Sequence, residues 1–228
     1  SAHPSTPSGV ARHCKVINHI THLLRTNDII CLQETHLGSL ERQVLSLYFP
    51  SHHIFYNNLR RGRGGTLTII SPEFARSYAI TEVPLSSRAN GRVQVLQFSS
   101  LSNPSQPRSS FVVINVYLTS GHSGPALKSK YRELRTLRTL TPDVPIFLAG
   151  DSNFVEHIDD SASRTRDTFL TGQALTEWDS LVGRLGLTEV HQPLDTFFRL
   201  ASDSAHSRTS RLDRIYSSLT GAEGMLVN

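Results

Sequence analysis

The sequence predicts an α/β domain in which two packed β-sheets are covered by helices. Short apolar runs bounded by turn residues recur along the chain, and amphipathic stretches with helical spacing stand between them. Of the 228 residues, 38% are hydrophobic and 18% are charged, which is typical of a folded protein with a sizeable core. Because this length fits one large domain, we expect residues 1–228 to fold as a single unit.

Composition argues against a membrane protein and favours an anionic partner. The chain has 23 Lys and Arg residues against 19 Asp and Glu residues, and its pI is near 9.3. No apolar run approaches the ~18 residues of a membrane span, and residues 1–9 lack the hydrophobic region of a signal peptide. We therefore expect an intracellular protein without membrane contact, in which Cys14 and Cys31 are buried free thiols rather than a disulfide.

The first predicted elements are a helix, a strand and a second helix. Residues 11–25 carry their apolar side chains on one stripe, which predicts an amphipathic helix. The apolar run 29–32 predicts a buried strand, and residues 40–49 predict a short helix. Glu34 lies just beyond the strand, so its carboxylate is expected where the chain leaves the core.

A hairpin is predicted next. Residues 53–56 and 66–70 have strand character, and a basic, glycine-rich segment separates them. This segment contains Arg61 and Arg63. It is either a solvated turn or a loop that contacts phosphate groups, because glycine at a hairpin tip is explained by turn geometry alone.

Two strands and a helix follow the hairpin. Residues 93–98 and 111–117 predict strands, and alternation places Asn115 and Tyr117 on the same side of the second one. Leucines at helical spacing predict a helix over residues 125–140. A solvated outer face is the ordinary explanation for the basic residues of this helix, which are Lys128, Lys130, Arg132, Arg135 and Arg138.

The stretch around which the chain is organised begins with the buried strand 146–149. Gly150 then allows a tight turn, so that Asp151 and Asn153 emerge at the end of the strand. A carboxylate there can take or orient a proton, and an amide can donate a hydrogen bond to an oxyanion. A plain turn explains the same residues, because Gly, Asp and Asn all favour turn backbone.

The last predicted elements are a helix and an alternating strand. Residues 174–185 form a helical stripe, and Gly186 is a natural terminator. Residues 210–216 alternate, with Asp213 on the same side as Ile215. A carboxylate on that side is expected to be partly buried and therefore to have a partner.

Four short motifs follow one another in a fixed order, each at the end of a predicted strand or within one. They are Leu32-Gln33-Glu34-Thr35-His36, Asn115-Val116-Tyr117, Gly150-Asp151-Ser152-Asn153 and Ser210-Arg211-Leu212-Asp213-Arg214-Ile215-Tyr216. Together they resemble the endonuclease/exonuclease/phosphatase superfamily, and more closely the apurinic-like endonuclease domains of LINE-type (non-LTR) retrotransposons. Further motifs strengthen this resemblance over nearly the whole chain: Gly64-Gly65-Thr66 and Thr196-Phe197-Phe198.

The resemblance implies a four-layer α/β/β/α sandwich of the DNase I-like type, with two mixed sheets between layers of helices. It also implies a metal-dependent phosphodiesterase. Glu34 would hold the divalent cation, which is Mg²⁺ or, as an alternative, Mn²⁺. Asp151 would orient or deprotonate the attacking water. Asn153 and Tyr117 would donate hydrogen bonds to the scissile phosphate.

The resemblance assigns further residues to the DNA-facing side. Asp213 would hold a catalytic histidine in the required tautomer. Thr196 and Ser210 would line the site. Apart from the resemblance, the basic character of the loop that holds Arg61 and Arg63 favours DNA, which these two residues would contact.

The chain departs from the family pattern at both ends. The family begins with a strand that carries a metal-binding asparagine, and it ends with a Ser-Asp-His strand that carries the catalytic histidine. Neither stands in the sequence. We therefore expect residues 1–228 to lack the first and the last catalytic strand, and we expect the fragment itself to be inactive or severely impaired.

The resemblance also implies a biological role. The parent polypeptide would carry a reverse transcriptase, act in the nucleus and nick double-stranded target DNA to prime reverse transcription. Two alternatives stay open. A phosphatase, or a phosphodiesterase acting on phospholipids or inositol phosphates, would share the catalytic core. A non-catalytic DNA-binding relic would bind DNA in a salt-sensitive manner and would not cleave it.

Overall fold

The computed structural model describes residues 7–58, 64–85, 91–102, 110–121, 123–141, 143–156, 170–190, 197–199, 208–210 and 212–219. The helices among them are α1 (Pro7–Leu23), α2 (Ser39–Tyr48), α3 (Pro72–Ala75), α4 (Gly124–Leu137) and α5 (Gly172–Leu185). The strands are β1 (Ile29–Gln33), β2 (His53–Asn57), β3 (Thr66–Ile70), β4 (Tyr78–Glu82), β5 (Val93–Ser100), β6 (Phe111–Tyr117), β7 (Ile146–Asp151), β8 (Thr188–Glu189), β9 (Phe197–Arg199), β10 (Arg208–Ser210) and β11 (Asp213–Ser217).

The smaller sheet consists of β1, β3 and β2, with β3 in the centre and both pairs antiparallel. Successive side chains along β3 point to opposite faces. Leu67 and Ile69 are buried on the outer face in one cluster with Ile20 of α1 and Leu45 of α2. The apolar stripes of these two helices therefore cover one face of the smaller sheet.

The larger sheet contains six strands in the order β4-β5-β6-β7-β11-β8. Strands β6 and β7 are parallel, because α4 crosses over between them, and the other pairs are antiparallel. Helices α4 and α5 cover the outer face, where Leu134 and Trp178 are buried in one cluster with Ile114. Gly186 ends α5 in the left-handed conformation, with a φ of 61°, which confirms the predicted terminator.

The inner faces of the two sheets meet in an apolar and aromatic layer. Ile70 of β3 lies in one buried cluster with Leu96, Phe98 and Val113 of the larger sheet. The rings of Phe98 and Phe111 stack with 4.5 Å between their centroids. The layers therefore follow the order helix, sheet, sheet, helix, which confirms the predicted sandwich. Within the described residues, however, only the larger sheet is mixed, whereas two mixed sheets were expected.

Some local features differ from the sequence-based expectations. Helix α1 begins at Pro7 rather than at residue 11, because proline is well suited to the first turn of a helix. Helix α3 and the edge strand β4 were not predicted; Ser71 caps α3 by accepting the backbone N–H of Phe74 at 3.3 Å. The strand expected over residues 210–216 is divided between β10 and β11.

Two side chains are buried differently from the prediction. Cys14 is exposed on α1, while Cys31 is partly buried, and both are free thiols. Lys130 was expected on a solvated face of α4, but its side chain is completely buried.

Among the described residues, no helix combines the length and the apolar character that a membrane span requires.

Candidate active site

Three of the predicted site residues lie side by side at one end of the larger sheet. The parallel ladder of β6 and β7 places Tyr117 opposite Asp151, and the antiparallel ladder of β7 and β11 places Asp151 opposite Asp213. Residues that are directly paired across neighbouring strands point to the same face of a sheet. For these three residues that is the inner face, because Arg214 and Tyr216, which alternate with Asp213, are buried on the other side.

Glu34 reaches the same place from the smaller sheet. It follows the end of β1, and its Oε1 accepts a hydrogen bond of 2.7 Å from the Tyr117 hydroxyl. A second contact joins the same strands: Nε2 of Gln33, the last residue of β1, donates to Oδ1 of Asn115 in β6 at 2.8 Å. Asn115 is itself buried and donates to the Leu67 carbonyl at 3.1 Å. Polar contacts across the sandwich thus fix the position of Glu34 relative to Tyr117.

The turn after β7 holds Asp151 and Asn153 together. The Asn153 backbone N–H donates to Asp151 Oδ1 at 2.8 Å, and Asn153 Nδ2 donates to Asp151 Oδ2 at 3.1 Å. The same amide nitrogen donates to the Leu118 carbonyl at 2.8 Å. Both carboxylate oxygens of Asp151 are therefore oriented by Asn153, and the amide also ties the turn to the end of β6.

Two glycines allow the chain segments at this end to approach each other. A Cβ at Gly150, where φ is 141°, would lie 2.0 Å from the Val116 carbonyl oxygen. A Cβ at Gly65, where φ is 107°, would lie 2.7 Å from both Thr35 Oγ1 and Asn58 Oδ1. Any larger residue at either position would displace neighbouring backbone or buried polar groups, so both glycine motifs have a steric reason.

Backbone strain is concentrated at the site. Among the described residues, the non-glycine residues with positive φ are Glu34 (55°), His36 (49°) and Asn153 (51°). The left-handed conformation is disfavoured for a residue with a Cβ and persists only where the surroundings enforce it. Such residues cluster at functional sites, and here they are the predicted metal ligand, the residue two positions after it and the residue two positions after the predicted base.

The electrostatics of the site are dominated by its carboxylates. Burial, together with the negative charges of Asp213 and Glu34, raises the pKa of Asp151 to about 6, against the opposing effects of the hydrogen bond from Asn153 and the charge of Lys130. Burial and the contact with Glu34 also raise the pKa of Tyr117 to about 12. At neutral pH, Tyr117 is therefore a hydrogen-bond donor, and Asp151 is mostly ionised and close to its pKa.

The donor set fits a hard divalent cation. No three His, Cys, Asp or Glu side chains in the described part of the chain stand close enough to enclose a metal ion. Mg²⁺ does not need such a cage, because it keeps several waters and commonly binds one or two carboxylates together with substrate phosphates. The Glu34 side chain is 63% exposed and supplies carboxylate oxygens beside the negative charge of Asp151. Glu34 therefore fits as a ligand for Mg²⁺ or Mn²⁺.

Comparison with protein families identifies the superfamily that the four motifs resemble. The sequence profile of the Endonuclease/Exonuclease/phosphatase family matches residues 11–223, which is most of the chain. The chain belongs to this family. Members of the endonuclease/exonuclease/phosphatase family are hydrolytic nucleases and phosphatases. No match was found among curated proteins.

Solved structures support the fold. An AP endonuclease from Archaeoglobus fulgidus superimposes with a TM-score of 0.62 at 17% identity, covering 91% of this chain and 81% of the other. The 3' phosphatase NExo from Neisseria, bound to a product DNA hairpin, gives 0.63 at 19% identity, with coverages of 89% and 81%. D. rerio TDP2, complexed with a single-strand DNA product, gives 0.59 at 15% identity, with coverages of 96% and 80%. At these identities the similarity shows the shared DNase I-like fold.

Sequence reasoning did not assign Arg92 to the site of this family member. The Arg92 guanidinium lies over the Tyr117 ring, 4.4 Å from its centroid, and Arg92 Nη1 donates to the Tyr117 carbonyl at 3.4 Å. The signal was the pairing of β5 with β6: if Val93 pairs with Val116, the residue before Val93 must lie beside Tyr117. An isolated arginine at the start of a strand does not reveal this without the register.

Two further charged residues, Lys130 and Glu133, approach the site from α4. Both are buried, and both contact backbone groups at the ends of β6 and β7.

The remaining predicted contacts fall at or beyond the limits of the described residues. Arg61, Arg63 and Thr196 lie outside the described residues, and Ser210 is described only as the end of β10. Their proposed contacts with DNA stay predictions, as do the catalytic roles of the residues that the fold brings together.

Proposed function

We propose that this member of the endonuclease/exonuclease/phosphatase family is the metal-dependent DNA endonuclease domain of a LINE-type retrotransposon polyprotein. The domain would nick target DNA to prime reverse transcription. The observation that carries the proposal is the convergence of Glu34 and Tyr117 from the two sheets, with Asp151 and Asp213 on the next two strands. Such a cluster can hold a phosphate, a cation and an attacking water.

Asp151 is the residue suited to act on the water. Its pKa of about 6 lies near neutral pH, where a general base is most effective. The two hydrogen bonds from Asn153 hold the carboxylate in a fixed orientation. Asp151 would therefore orient the water towards phosphorus and accept its proton, which contributes roughly 10²- to 10⁴-fold to the rate.

Tyr117 and Arg92 are suited to bind the phosphate. The Tyr117 hydroxyl is protonated at neutral pH, and its one proton, which is donated to Glu34 in the structure, would turn to a phosphate oxygen once a cation holds Glu34. The Arg92 guanidinium over the Tyr117 ring supplies positive charge beside the same position. A bound Mg²⁺ would neutralise charge that develops on the phosphate oxygens, and Glu34 would hold it there. Asp213 would position a histidine, as the resemblance implies.

DNA as the substrate is supported by charge and by the motifs. The chain has an excess of basic residues, most of them arginines, which bind phosphate oxygens in a fork geometry. The order of the motifs, with Gly64-Gly65-Thr66 and Thr196-Phe197-Phe198 among them, supports the retrotransposon branch. Genomic DNA as the target requires a protein that enters the nucleus, and the parent polypeptide would also carry a reverse transcriptase.

Nicking of supercoiled plasmid tests the proposal. The assay uses the 228-residue chain and a lengthened chain, which carries the same residues with the sequence that flanks them in their natural reading frame. We expect nicking by the lengthened chain in Mg²⁺ or Mn²⁺, weaker or no nicking by the 228-residue chain, and none in EDTA. Asp143→Asn, an exposed aspartate before β7, is the matched control for Asp151→Asn.

The assay also separates the alternatives. Inositol polyphosphate, phospholipid and a 3'-phosphorylated oligonucleotide are supplied beside the plasmid. Release of phosphate or headgroup without nicking would replace the endonuclease proposal by the phosphatase or phosphodiesterase alternative. Salt-sensitive DNA binding that survives Glu34→Ala and Asp151→Ala, with no cleavage of any substrate, would identify a DNA-binding relic. A reverse transcriptase in the flanking reading frame would support the retrotransposon origin, and its absence would contradict it.

A further inference from the structure

Helix α4 reaches the active site through two buried charged side chains. The Lys130 side chain is 0% exposed, and Glu133 is 4% exposed. Lysine and glutamate are almost never fully buried unless they are paired. The two residues stand three positions apart, so they lie on the same face of the helix. Because both side chains are buried, solvation cannot stabilise their charges, and contacts within the protein must do so.

Lys130 contacts the turn that carries the predicted base. Its Nζ donates a 2.7 Å hydrogen bond to the Asn153 carbonyl and lies 5.5 Å from the centre of the Phe154 ring. Burial lowers the pKa of Lys130 to about 8, while the charges of Glu133 and Asp151 act in the opposite direction. The amine is therefore still largely protonated at neutral pH, and its charge lies close to Asp151.

Glu133 contacts the neighbouring strand end. One of its carboxylate oxygens accepts the backbone N–H of Thr119 at 2.8 Å, and the other accepts the Thr119 hydroxyl. Thr119 follows Tyr117 by two residues, so this contact holds the segment by which β6 leaves the sheet. One turn of α4 thus holds the ends of both β6 and β7.

The two strand ends are also bonded to each other. The Leu118 N–H donates to the Asp151 carbonyl at 2.9 Å, and Asn153 Nδ2 donates to the Leu118 carbonyl at 2.8 Å. Asn153 adopts its strained left-handed conformation within this network. A strained residue keeps its conformation only when the surrounding contacts enforce it, and the Lys130 contact acts directly on the carbonyl of that residue.

We propose that Lys130 and Glu133 are positioning residues, which hold the Asp151–Asn153 turn and the Tyr117 end of β6 in the arrangement needed for attack on a phosphodiester. This inference rests on the proposed function. Neither side chain would touch the substrate. A displacement of about 1 Å in a catalytic group can cost about 10²-fold in rate, so a buried contact that fixes the turn affects catalysis without binding DNA.

The first test is Lys130→Met in the lengthened chain, measured by plasmid nicking. We expect kcat to fall about 30- to 100-fold, while KM for the plasmid stays within about 2-fold, because the change displaces the base and leaves the DNA-binding surface unchanged. The acid limb of the pH–rate profile should move to higher pH, since Lys130 lowers the pKa of Asp151. Lys128→Met, an exposed lysine on the same helix, should leave kcat, KM and the profile unchanged.

The second test separates positioning from stability. Glu177 of α5 is a buried carboxylate that accepts hydrogen bonds from Arg138, which follows α4 directly, and these bonds lie away from the strand ends. Glu177→Leu should lower the melting temperature and leave kcat of the folded protein unchanged. Glu133→Leu should lower kcat about 30- to 100-fold, and Glu133→Gln, which can still pair with Thr119, should restore most of it. Equal kcat values for Glu133→Leu and Glu177→Leu would overturn the proposal.

The third test does not require activity. A crystal structure of the Lys130→Met chain should show Asn153 out of its left-handed conformation, or the hydrogen bond between Asn153 Nδ2 and Asp151 broken. An unchanged turn would overturn the positioning role. If the unmodified lengthened chain cleaves no phosphoester, the proposed function fails, and this structure still decides whether Lys130 holds the turn. Should Lys130→Met not fold, crystal structures of Glu133→Leu and Glu133→Gln replace it. Thr119 and Tyr117 should be displaced in Glu133→Leu and unchanged in Glu133→Gln, and unchanged positions in Glu133→Leu would overturn the positioning role.

Discussion

Carboxylates lie near both faces of strands β7 and β11. The inner group, near the smaller sheet, contains Asp151 and Asp213, and the outer group, near α5, contains Glu156 and Glu189; the two groups differ in the charges around them. On the inner face, Asp151 lies beside Asp213, and the charges of Asp213 and Glu34 both raise its pKa. The ionised form of Asp151 is therefore destabilised by its neighbours. A cation bound beside Asp151 would offset these negative charges.

On the outer face, the carboxylates are paired within the protein. Arg214 is 1% exposed, and its Nη1 lies 3.4 Å from Glu156 Oε2 and 2.8 Å from Glu189 Oε1. Glu156 also accepts hydrogen bonds from the Tyr216 hydroxyl at 2.6 Å and from Trp178 Nε1 at 3.2 Å. This network joins the turn after β7 to β8, β11 and α5. The proposed function gives the inner group a role in chemistry, whereas the contacts of the outer group join elements of the fold.

The largest expected effect is on the inner group. Asp151→Asn preserves the shape of the side chain but removes the base, so the nicking rate should fall by about 10³-fold or more. Binding of plasmid DNA in EDTA, measured by gel shift, should change less than about 3-fold, because the change is confined to one side chain within the site and leaves the basic residues of the chain unchanged. Nicking at the unmodified rate would show that the inner carboxylates are as structural as the outer ones.

The next effect concerns the outer group. Arg214→Met removes the buried cation from two partly buried carboxylates and should lower the free energy of unfolding by about 3 kcal/mol. Urea unfolding followed by tryptophan fluorescence measures this. Arg76→Met is the control, because Arg76 and its partner Glu73 are both mostly exposed, so its loss should cost about 1 kcal/mol or less. A loss of nicking without a loss of stability in Arg214→Met would contradict the division between the two faces.

The sequence predicted the inner group much better than the outer one, for physical reasons. Glu34, Tyr117 and Asp151 stand at or just beyond the ends of apolar runs, where polar residues are conspicuous, and a short motif surrounds each of them. Glu156 lies outside every motif, and Arg214, although it lies within the last one, stands inside a strand rather than at its end. Their pairing depends on which strand lies beside β7, and that is a property of the sheet order rather than of any local pattern.

The same limit applies to α4. Helical periodicity predicted the helix and its apolar stripe, but Lys130 lies at an edge of that stripe, where periodicity does not distinguish a buried from a solvated side chain. Its burial depends on the end of β7, which approaches α4 only after the β6-α4-β7 crossover has formed. Propensity alone did not predict β4 either, because it is an edge strand fixed by its pairing with β5.

A smaller effect on the inner group is expected from Tyr117→Phe. The variant loses the hydrogen bond to Glu34 and the donor to the phosphate, while the ring that packs against Arg92 stays. We expect kcat for nicking to fall about 10- to 100-fold, in line with the loss of one preorganised donor. Tyr78→Phe, in the aromatic cluster between the sheets, should leave kcat unchanged. An unchanged kcat in Tyr117→Phe would remove the tyrosine from the chemistry and leave it a contact between sheets.

The smallest effect distinguishes the two faces without any substrate. The pKa of Asp151 rises on folding from 3.8 to about 6, so its ionisation opposes folding above pH 6 and has no effect below pH 4, where the folded and unfolded forms are both protonated. One pKa unit corresponds to about 1.4 kcal/mol, and partial solvent exposure reduces the sum, so Asp151→Asn should stabilise the metal-free protein by about 1–2 kcal/mol at pH 7.5. This stabilisation should disappear as the pH falls from 6 to 4. Urea unfolding in EDTA across this range measures it, and a variant that is less stable than the unmodified chain at pH 7.5 would mean that Asp151 is paired within the protein, as Glu156 is.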